Sequence, residues 1–409
     1  MEGVNVVVAV ELLLQEELEN DRPHHQVYRR RLFRPRSSFL DLTDQQCVER
    51  YRFDKATIQD LCLQLQPLLQ VRICRNYPMP VHLKVTTALA FLATGSFQSV
   101  LASSTGLTQP AISNCLTQFL NAFLTHTRDY ISLPTTPQAL QDNISQFYNV
   151  AQFPSVIGVV DCTHIALRPP RADEASYWNR KALHSMNMQV VCNAQREILN
   201  VCARYPGSTH DVYIVQHCGL HRRATQGHFN GAWLLDKHLR DTATLFPPPS
   251  QHSLPAPANH CHSSLFSFSL SLCLIGDRWY PQRVWLMTPI VHPHTAAEEE
   301  YNRHHRATRS IIERTFGQLK KRFRCLDCLW GQLLYRPEKV AQIFVVCCMM
   351  HNLAVRKHQP LPVPPQQQLQ QPPDGDDDEP PPPPPHRAEH SASQEGFNAR
   401  LLLIQTHVL

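Results

Sequence analysis

The sequence lacks any apolar run long enough to cross a bilayer: the longest, near 265–275 and 343–350, fall well short of the roughly 20 residues that a membrane-spanning helix needs. It also lacks the basic start of a secretory signal, since VNVVVAVELLL runs directly into acidic EELEN. Its 14 cysteines follow no regular framework, which is typical of reduced thiols. These absences predict an intracellular protein with no membrane role.

Positive charge is scarce in one helical stretch, where Lys84 is the only lysine or arginine between Arg75 and Arg128. Three short helical patterns follow one another there: VHLKVTTALAFLAT, FQSVLASST and TQPAISNCLTQFLNAFL. They predict a helix-turn-helix-like domain over 76–130, with 108–124 as the recognition helix. Gln109, Ser113 and Asn114 would face bases, although so few cations neutralise few phosphates. A plain helical bundle is the alternative.

The rest of the chain divides by composition. Residues 1–75 carry amphipathic helical segments, and 150–357 combine strand patterns such as PSVIGVVDCTHIAL with helical stretches at 295–322 and after Pro337. A hairpin is predicted with its turn at 193–197. These patterns predict an α/β core with a mixed sheet flanked by helices. Residues 358–409 are rich in Pro, Gln and Asp and are predicted to be a disordered tail, apart from a short helix at 400–404.

Four acidic residues each lie inside a distinctive short string. They are Asp161 in GVVDCTHI, Asp211 in PGSTHD, Asp277 in GDRWYP and Glu313 in IIERTFGQLKKRF. Carboxylates that come from strand ends and a helix can converge to hold two divalent cations about 4 Å apart, the arrangement that hydrolyses phosphodiesters. The four acids therefore predict a catalytic site that uses Mg²⁺ or Mn²⁺.

Each acid also has a purely structural explanation. Asp161 could be a turn or cap residue beside Thr163, Asp211 an N-cap for a helix from Val212, Asp277 a turn residue, and Glu313 the i,i+4 partner of Arg309 on a solvated helix. The metal site is preferred because the four contexts occur together.

A basic stretch surrounds Glu313, which is the only acid between Tyr301 and Arg324. Its cations are predicted to hold the phosphate backbone of DNA. They are Arg306, Arg309, Arg314, Lys320, Lys321, Arg322 and Arg324. A solvated basic helix is the alternative.

Taken together, the strings from about Leu40 to Leu353 resemble the PIF/Harbinger transposases and their domesticated nuclease relatives. The resemblance rests on TGSFQ, GVVDCTHIAL, YWNRKALHSMNMQVVC, PGSTHD, GDRWYP, the block around IIERTFGQLKKRFRCLD, and RPEKVAQIFVVCCMMHN. It implies a ribonuclease-H-like DDE core with Asp161, Asp211, Asp277 and Glu313 as metal ligands. It also implies DNA as substrate and a Myb-like DNA-binding partner.

Two departures from that pattern stand out. The small residues usual after the third acid are replaced by Arg278 and Trp279, and position 193, commonly an aspartate, is Asn193. Neither change removes one of the four carboxylates.

Residues 236–275 interrupt a strand that family members run straight through as WLLGD. Removing them joins Trp233-Leu234-Leu235 to Gly276-Asp277, and their end, SLFSFSLSLCLI, is what a translated pyrimidine tract would give. We interpret the segment as a translated intron, with a tolerated surface loop as the alternative. His252, His260, Cys261 and His262, like Cys325 and Cys328, match no standard zinc spacing.

The leading hypothesis is thus a metal-dependent DNA endonuclease of transposase ancestry. The alternative is a catalytically idle adaptor that binds DNA with a Myb-like partner. A basic cluster, RRRLFRPR over 29–36, and the DNA chemistry favour the nucleus, with the cytoplasm as a second location. Assembly into a homo-oligomer is left open.

Overall fold

The computed structural model describes residues 38–70, 78–225, 273–275, 283, 285–362 and 393–407. Within them we number the helices α1 Asp44–Tyr51, α2 Lys55–Leu69, α3 Val81–Thr94, α4 Gln98–Thr105, α5 Gln109–Leu124, α6 Thr127–Tyr130, α7 Pro137–Ala151, α8 Asp211–His217, α9 Gly219–Thr225, α10 Ala296–Arg322, α11 Pro337–Arg356 and α12 Gln394–His407. The strands are β1 Val156–Ala166, β2 Ser185–Cys192, β3 Ile198–Pro206, β4 Cys273–Ile275 and β5 Leu286–Met287.

The first helices begin and end where local chemistry requires. Thr43 caps α1 in a reciprocal capping box with Gln46. Thr108 caps α5, and the proline in its first turn is pre-organised for a helix start. Gly95 and Gly106 end α3 and α4 in the left-handed conformation that glycine adopts without strain. The three helices predicted between 81 and 124 are present.

The sheet is mixed, with strand order β3-β2-β1-β4-β5. The β2 strand pairs antiparallel with both β1 and β3, whereas β4 runs parallel to β1 and β5 runs parallel to β4. One strand therefore runs against the other four. The β2 and β3 strands form the predicted hairpin, with Asn193 Oδ1 accepting from the N–H of Glu197 at the turn.

Successive side chains on each strand point to opposite sides of the sheet, and both sides are apolar. Val190 of β2 belongs to the larger core, with α10 and α11, while Val191 packs in a smaller cluster with Val215 of α8. Side chains an odd number of positions apart on β2 therefore face opposite sides.

The N-terminal helices share this larger core. Phe123 of α5 lies in it together with Phe344 of α11. Asn352 of α11 donates to the carbonyls of Tyr130 and Ile198, so one buried amide joins the helical region to β3. The described residues from Ser38 onward form one compact unit.

Helix α11 is long and apolar enough to span a membrane by length and composition. Most of its apolar side chains, including Val346 and Met350, are instead buried in the core. A buried core helix passes the same test, and α11 is such a helix.

The short helix predicted at 400–404 is longer, extending over α12. Leu403 and Ile404 are buried, and a Cβ on Gly396 would come within 3.0 Å of backbone atoms of Arg283. Arg400 is partly desolvated there, which lowers its pKa. The segment after the Pro- and Asp-rich stretch is thus part of the folded body.

Candidate active site

The first predicted acid, Asp161, lies within β1 opposite Val190 of β2. Its side chain is 14% exposed; Oδ1 accepts a hydrogen bond from the N–H of Cys162, and Oδ2 lies 3.7 Å from Arg309 Nη2. Its position inside a paired strand rules out the turn or cap explanation. A carboxylate this buried needs a compensating charge, and Arg309 supplies one.

Glu313 approaches the same place from α10. That helix buries Ile312 and Thr315 against the sheet, and the Thr315 hydroxyl donates to Cys192 Sγ at 3.5 Å. Glu313, 55% exposed, faces outward with Oε1 at 3.4 Å from Arg309 Nη2. The i,i+4 pair is therefore present, but the same guanidinium also reaches Asp161 on the strand.

One cation thus stands between two carboxylates from different elements. Hard oxygen ligands of this kind are those that Mg²⁺ and Mn²⁺ prefer, so the donors fit a divalent ion. Arg309 fills the position of the bridging positive charge. In the part of the chain that the structure describes, no three His, Cys, Asp or Glu side chains form a metal-binding group.

The structure does not bring Asp211 into this pair. Asp211 opens α8 after His210, which holds the N-cap position, and its Oδ1 accepts from Asn187 Nδ2 at 2.6 Å. Asn187 is three positions from Val190, the residue paired with Asp161, so Asn187 faces the other side of the sheet. Asp211 therefore belongs to a separate polar group.

A profile of the DDE superfamily endonucleases matches residues 160–243 and 258–352. Over 315 residues, 77% of this chain, the sequence is 33% identical to the mouse protein named "Putative nuclease HARBI1", of which it covers 79%. The human HARBI1 is 32% identical over the same shares. The chain belongs to the Harbinger-derived DDE superfamily endonucleases. The predicted resemblance is confirmed.

Family similarity extends more weakly to plants. An Arabidopsis thaliana protein named "Protein ALP1-like" is 23% identical over 284 residues, 68% of this chain and 61% of that protein. No solved structure matches significantly.

The remaining predicted acid, Asp277, lies outside the described residues, as do Arg278 and Trp279. The strand before it is described: Ile275 pairs with Val159, two residues before Asp161. Asp277 follows Ile275 by the same two residues in the sequence.

The family match is interrupted within the predicted insertion, because it omits residues 244–257. Only its last three residues are described, and Cys273-Leu274-Ile275 pair with β1 as β4. They occupy the place that the family string WLL was expected to take. Whether 236–275 is translated intron stays a prediction.

The basic residues predicted to bind DNA differ in their exposure to solvent. Arg306, Arg314 and Lys321 are exposed, while Lys320 is half-buried and its pKa is lowered mainly by burial. Arg322 is 3% exposed and donates to the carbonyls of Gln359 and Pro360. The prediction that Arg322 holds DNA is therefore wrong, since no phosphate reaches a guanidinium enclosed in this way.

The predicted recognition helix has no exposed lysine or arginine that could neutralise DNA phosphates. Lys84, the only cation between 78 and 127, is buried and its Nζ donates to the carbonyl of Leu69. Gln109 and Asn114 are exposed on α5 and Ser113 is half-buried. This face can offer amides to bases but cannot neutralise phosphates.

The sequence patterns gave no role to the polar group around Asp211. His164 Nδ1 lies 2.9 Å from Ser185 Oγ, and desolvation lowers the pKa of His164, an effect that the carboxylate of Asp211 opposes. His164 stands three residues after Asp161 in GVVDCTHI, which is the one sequence signal that could have pointed to it.

Proposed function

We propose that this chain is a divalent-metal-dependent DNA endonuclease that hydrolyses phosphodiester bonds. The observation that carries the proposal is the meeting of Asp161 and Glu313 around one positive charge. These two residues come from a strand and from a helix 152 positions later in a Harbinger-derived DDE endonuclease.

We assign the core to the ribonuclease-H-like type. The strand order β3-β2-β1-β4-β5, with β2 alone antiparallel, supports this assignment, as does the helix α10 on the face that carries Asp161. In such a core the first acid lies on the central strand and the last on a helix, which is where Asp161 and Glu313 lie.

Asp161 and Glu313 would hold the metal together with Asp277. When bound, divalent ions activate the attacking water and stabilise the leaving oxygen in a two-metal mechanism. Arg309 would withdraw from the carboxylates to admit a cation and could then turn to a phosphate. Asp211 belongs to the polar group on the other side of the sheet, and we assign it instead to positioning the loop before α8 through Asn187, which also donates to the Thr209 carbonyl.

The exposed cations of α10 would bind the backbone on either side of the cleaved bond. Arg306, Arg314 and Lys321 extend along the outward face that also presents Glu313. Contacts of this kind position DNA without reading its sequence.

The test is a plasmid-nicking assay with Mg²⁺ or Mn²⁺ on the chain as written and on a form lacking residues 236–275, each with an Asp161→Asn control. Asparagine keeps the shape of the side chain and removes the ligand charge. Metal-dependent nicking that the control abolishes supports the proposal. Equal nicking by the Asp161→Asn variant would refute it.

A catalytically idle DNA-binding adaptor is the second candidate. Arg309 favours it, because a guanidinium that already balances Asp161 and Glu313 gives a metal-free pair a stable arrangement. This candidate predicts that Mn²⁺ changes neither the thermal stability nor the DNA contacts of the chain.

We further propose that a Myb-like partner supplies sequence recognition. The buried state of Lys84 supports this, because α5 presents amides without phosphate-binding cations. A nuclear location follows from a DNA substrate, with the cytoplasm as a second site, and a homo-oligomer is the assembly expected of transposase-like cores. Co-purification with a tagged partner, fractionation and light scattering test these three points.

A further inference from the structure

A short two-stranded turn, residues 178–184, projects beside the end of β1; we call it the WNRK turn. Trp178 and His184 form an isolated antiparallel bridge at its base, with ring centroids 4.1 Å apart. The His184 ring also lies 3.1 Å from Glu174 Oε1.

Asn179 holds the turn in a single shape. Its Oδ1 accepts from the N–H groups of Lys181 and Leu183, at 2.9 and 3.0 Å, and its own N–H donates to the Leu183 carbonyl. Ala182 is held at a φ of 53°, a conformation that residues other than glycine rarely adopt. The side chain of Asn179 thus fixes a backbone that is strained at Ala182.

The turn is also fixed to strand β1, through the polar group that contains His164. Asn179 Nδ2 donates to Ser185 Oγ at 3.0 Å, and Ser185 Oγ lies 2.9 Å from His164 on β1. On the other side, the N–H of Ser208 donates to the Ser176 carbonyl. A Cβ on Gly207 would lie 2.7 Å from the carbonyl oxygens of Tyr177 and Ser185, so only glycine fits there.

The outer surface of the turn combines cations with apolar groups. Arg180 and Lys181 are exposed, Trp178 is 45% exposed and Leu183 is 44% exposed. Lys181 lies close enough to Lys320 of α10 to contribute to the lowered pKa of that lysine. A phosphate between these cations would relieve their mutual repulsion.

We propose that the WNRK turn is a DNA-binding element in which Arg180 and Lys181 hold backbone phosphates while Trp178 stacks on an unpaired base of the bound DNA. This inference rests on the proposed action on DNA and extends it to residues outside the basic stretch of α10. Single-stranded nucleic acids are bound by this combination of positive groove and aromatic platform.

The charge of the turn favours DNA over an acidic protein segment. A planar, half-exposed indole beside two cations matches a base beside two phosphates. Glu174, near the base of the turn, is engaged there by His184 rather than at the tip of the turn. An acidic peptide would match the cations but would leave Trp178 without a base to stack on.

The test is fluorescence anisotropy of labelled DNA in Ca²⁺ or EDTA, over a range of salt concentrations. One probe is a blunt duplex, and the other is the same duplex with a single-stranded overhang. Two pairs of variants are compared. Arg180→Ala/Lys181→Ala is matched by Arg128→Ala/Lys357→Ala, exposed cations near the Asn193–Glu197 turn at the opposite end of the sheet. Trp178→Ala is matched by Tyr148→Ala, another exposed aromatic, with Trp178→Phe as the rescue.

We expect the loss of Arg180 and Lys181 to reduce the log-log salt slope by about 2, since each duplex phosphate contact contributes about 0.9. Trp178→Ala should weaken binding to the overhang probe about 5- to 150-fold, the range of one lost base stack, and leave the blunt duplex unchanged. Trp178→Phe should restore most of the loss. The control variants should bind like the unaltered chain.

Equal slopes for the two double variants, or equal binding of both probes by the unaltered chain and Trp178→Ala, would overturn the inference. So would an unaltered chain that binds neither probe at low salt. Turn-dependent binding without metal-dependent nicking would instead leave this inference standing and refute the nuclease proposal, so the two failures are distinguishable.

Discussion

Arg309 on α10 lies 3.7 Å from Asp161 on β1, with the same Nη2 atom 3.4 Å from Glu313. The guanidinium and a divalent metal would therefore compete for the same two carboxylates. Such competition makes the metal affinity of the site depend on a residue that need not bind the metal itself.

Replacing Arg309 with Met should tighten Mn²⁺ binding and destabilise the metal-free chain. Even a third of the roughly 4 kcal/mol that two unit charges exchange at 4 Å near a protein surface corresponds to about tenfold in affinity. Calorimetric titration with Mn²⁺ and thermal unfolding with and without the ion measure both effects. Arg306→Met, on the exposed face of the same helix, is the matched control. A variant that binds Mn²⁺ like the unaltered chain would show that no ion enters this site.

Asp161→Asn and Asp211→Asn should have different effects on metal binding and on stability. The first removes a proposed ligand, so we expect nicking to fall by at least two orders of magnitude and the Mn²⁺-induced stabilisation to disappear. The second replaces the carboxylate that accepts from Asn187 with a neutral amide oxygen and does not touch Arg309. The hydrogen bond should weaken, so Mn²⁺ binding should persist while thermal stability falls modestly. If Asp211→Asn abolishes Mn²⁺ binding as Asp161→Asn does, Asp211 is a metal ligand. Asp211 and Asp161 would then have to move together when the metal binds.

Much of this arrangement follows from sequence, and the failures have physical reasons. The helices at 81–124 and 296–322 were predictable because apolar periodicity, caps and glycines agree over short distances. Strand β1 was predictable from its apolar run, but the contact between Arg309 and Asp161 was not. The sequence spacing of Arg309 and Glu313 is the same whether the arginine pairs only along its own helix or also reaches a strand. Arg322 was misassigned for a similar reason: its enclosure depends on carbonyls at 359 and 360, which no local pattern reveals.

The exposed and buried cations of α10 should respond differently to substitution. Arg306→Ala/Arg314→Ala/Lys321→Ala should reduce the salt slope of DNA binding by about one unit per lost phosphate contact. Arg322→Met should instead lower the free energy of unfolding by on the order of 2 kcal/mol, because the buried carbonyl of Gln359 and the partly buried carbonyl of Pro360 lose their donor. Its burial already lowers the pKa of Arg322 to about 10. Urea unfolding and DNA-binding anisotropy on both variants separate the effect on stability from the effect on DNA binding. If Arg322→Met left stability unchanged and weakened DNA binding, Arg322 would be a DNA-binding residue after all.

Deleting residues 236–275 should give a chain that folds at least as stably as the one described. Trp233-Leu234-Leu235 would then precede Gly276-Asp277 directly and replace Cys273-Leu274-Ile275 in the pairing with β1. We expect equal or higher thermal stability and metal-dependent nicking at least as strong. Sequencing of transcripts checks the intron interpretation independently. A shortened chain that fails to fold would show that the insertion supports the core.

Acid should destabilise the fold through His351 on α11. The ring is fully buried, its Nε2 donates to the carbonyl of Arg196 at 2.9 Å, and burial lowers its pKa from 6.5 to about 4. Between these values the unfolded chain binds a proton that the folded chain excludes. The free energy of unfolding should therefore fall by up to about 3 kcal/mol as the pH drops from 6.5 to 4, at 1.36 kcal/mol per pKa unit.

His351→Gln should keep a donor for the Arg196 carbonyl and remove this titration. The variant should lose less stability than the unaltered chain between pH 6.5 and 4, as urea unfolding at several pH values would measure. His358→Gln, an exposed histidine just beyond the same helix, should leave the pH profile unchanged. If the stability of His351→Gln fell with pH in parallel with that of the unaltered chain, protonation of His351 would not contribute to the acid destabilisation. Other buried groups would then cause it.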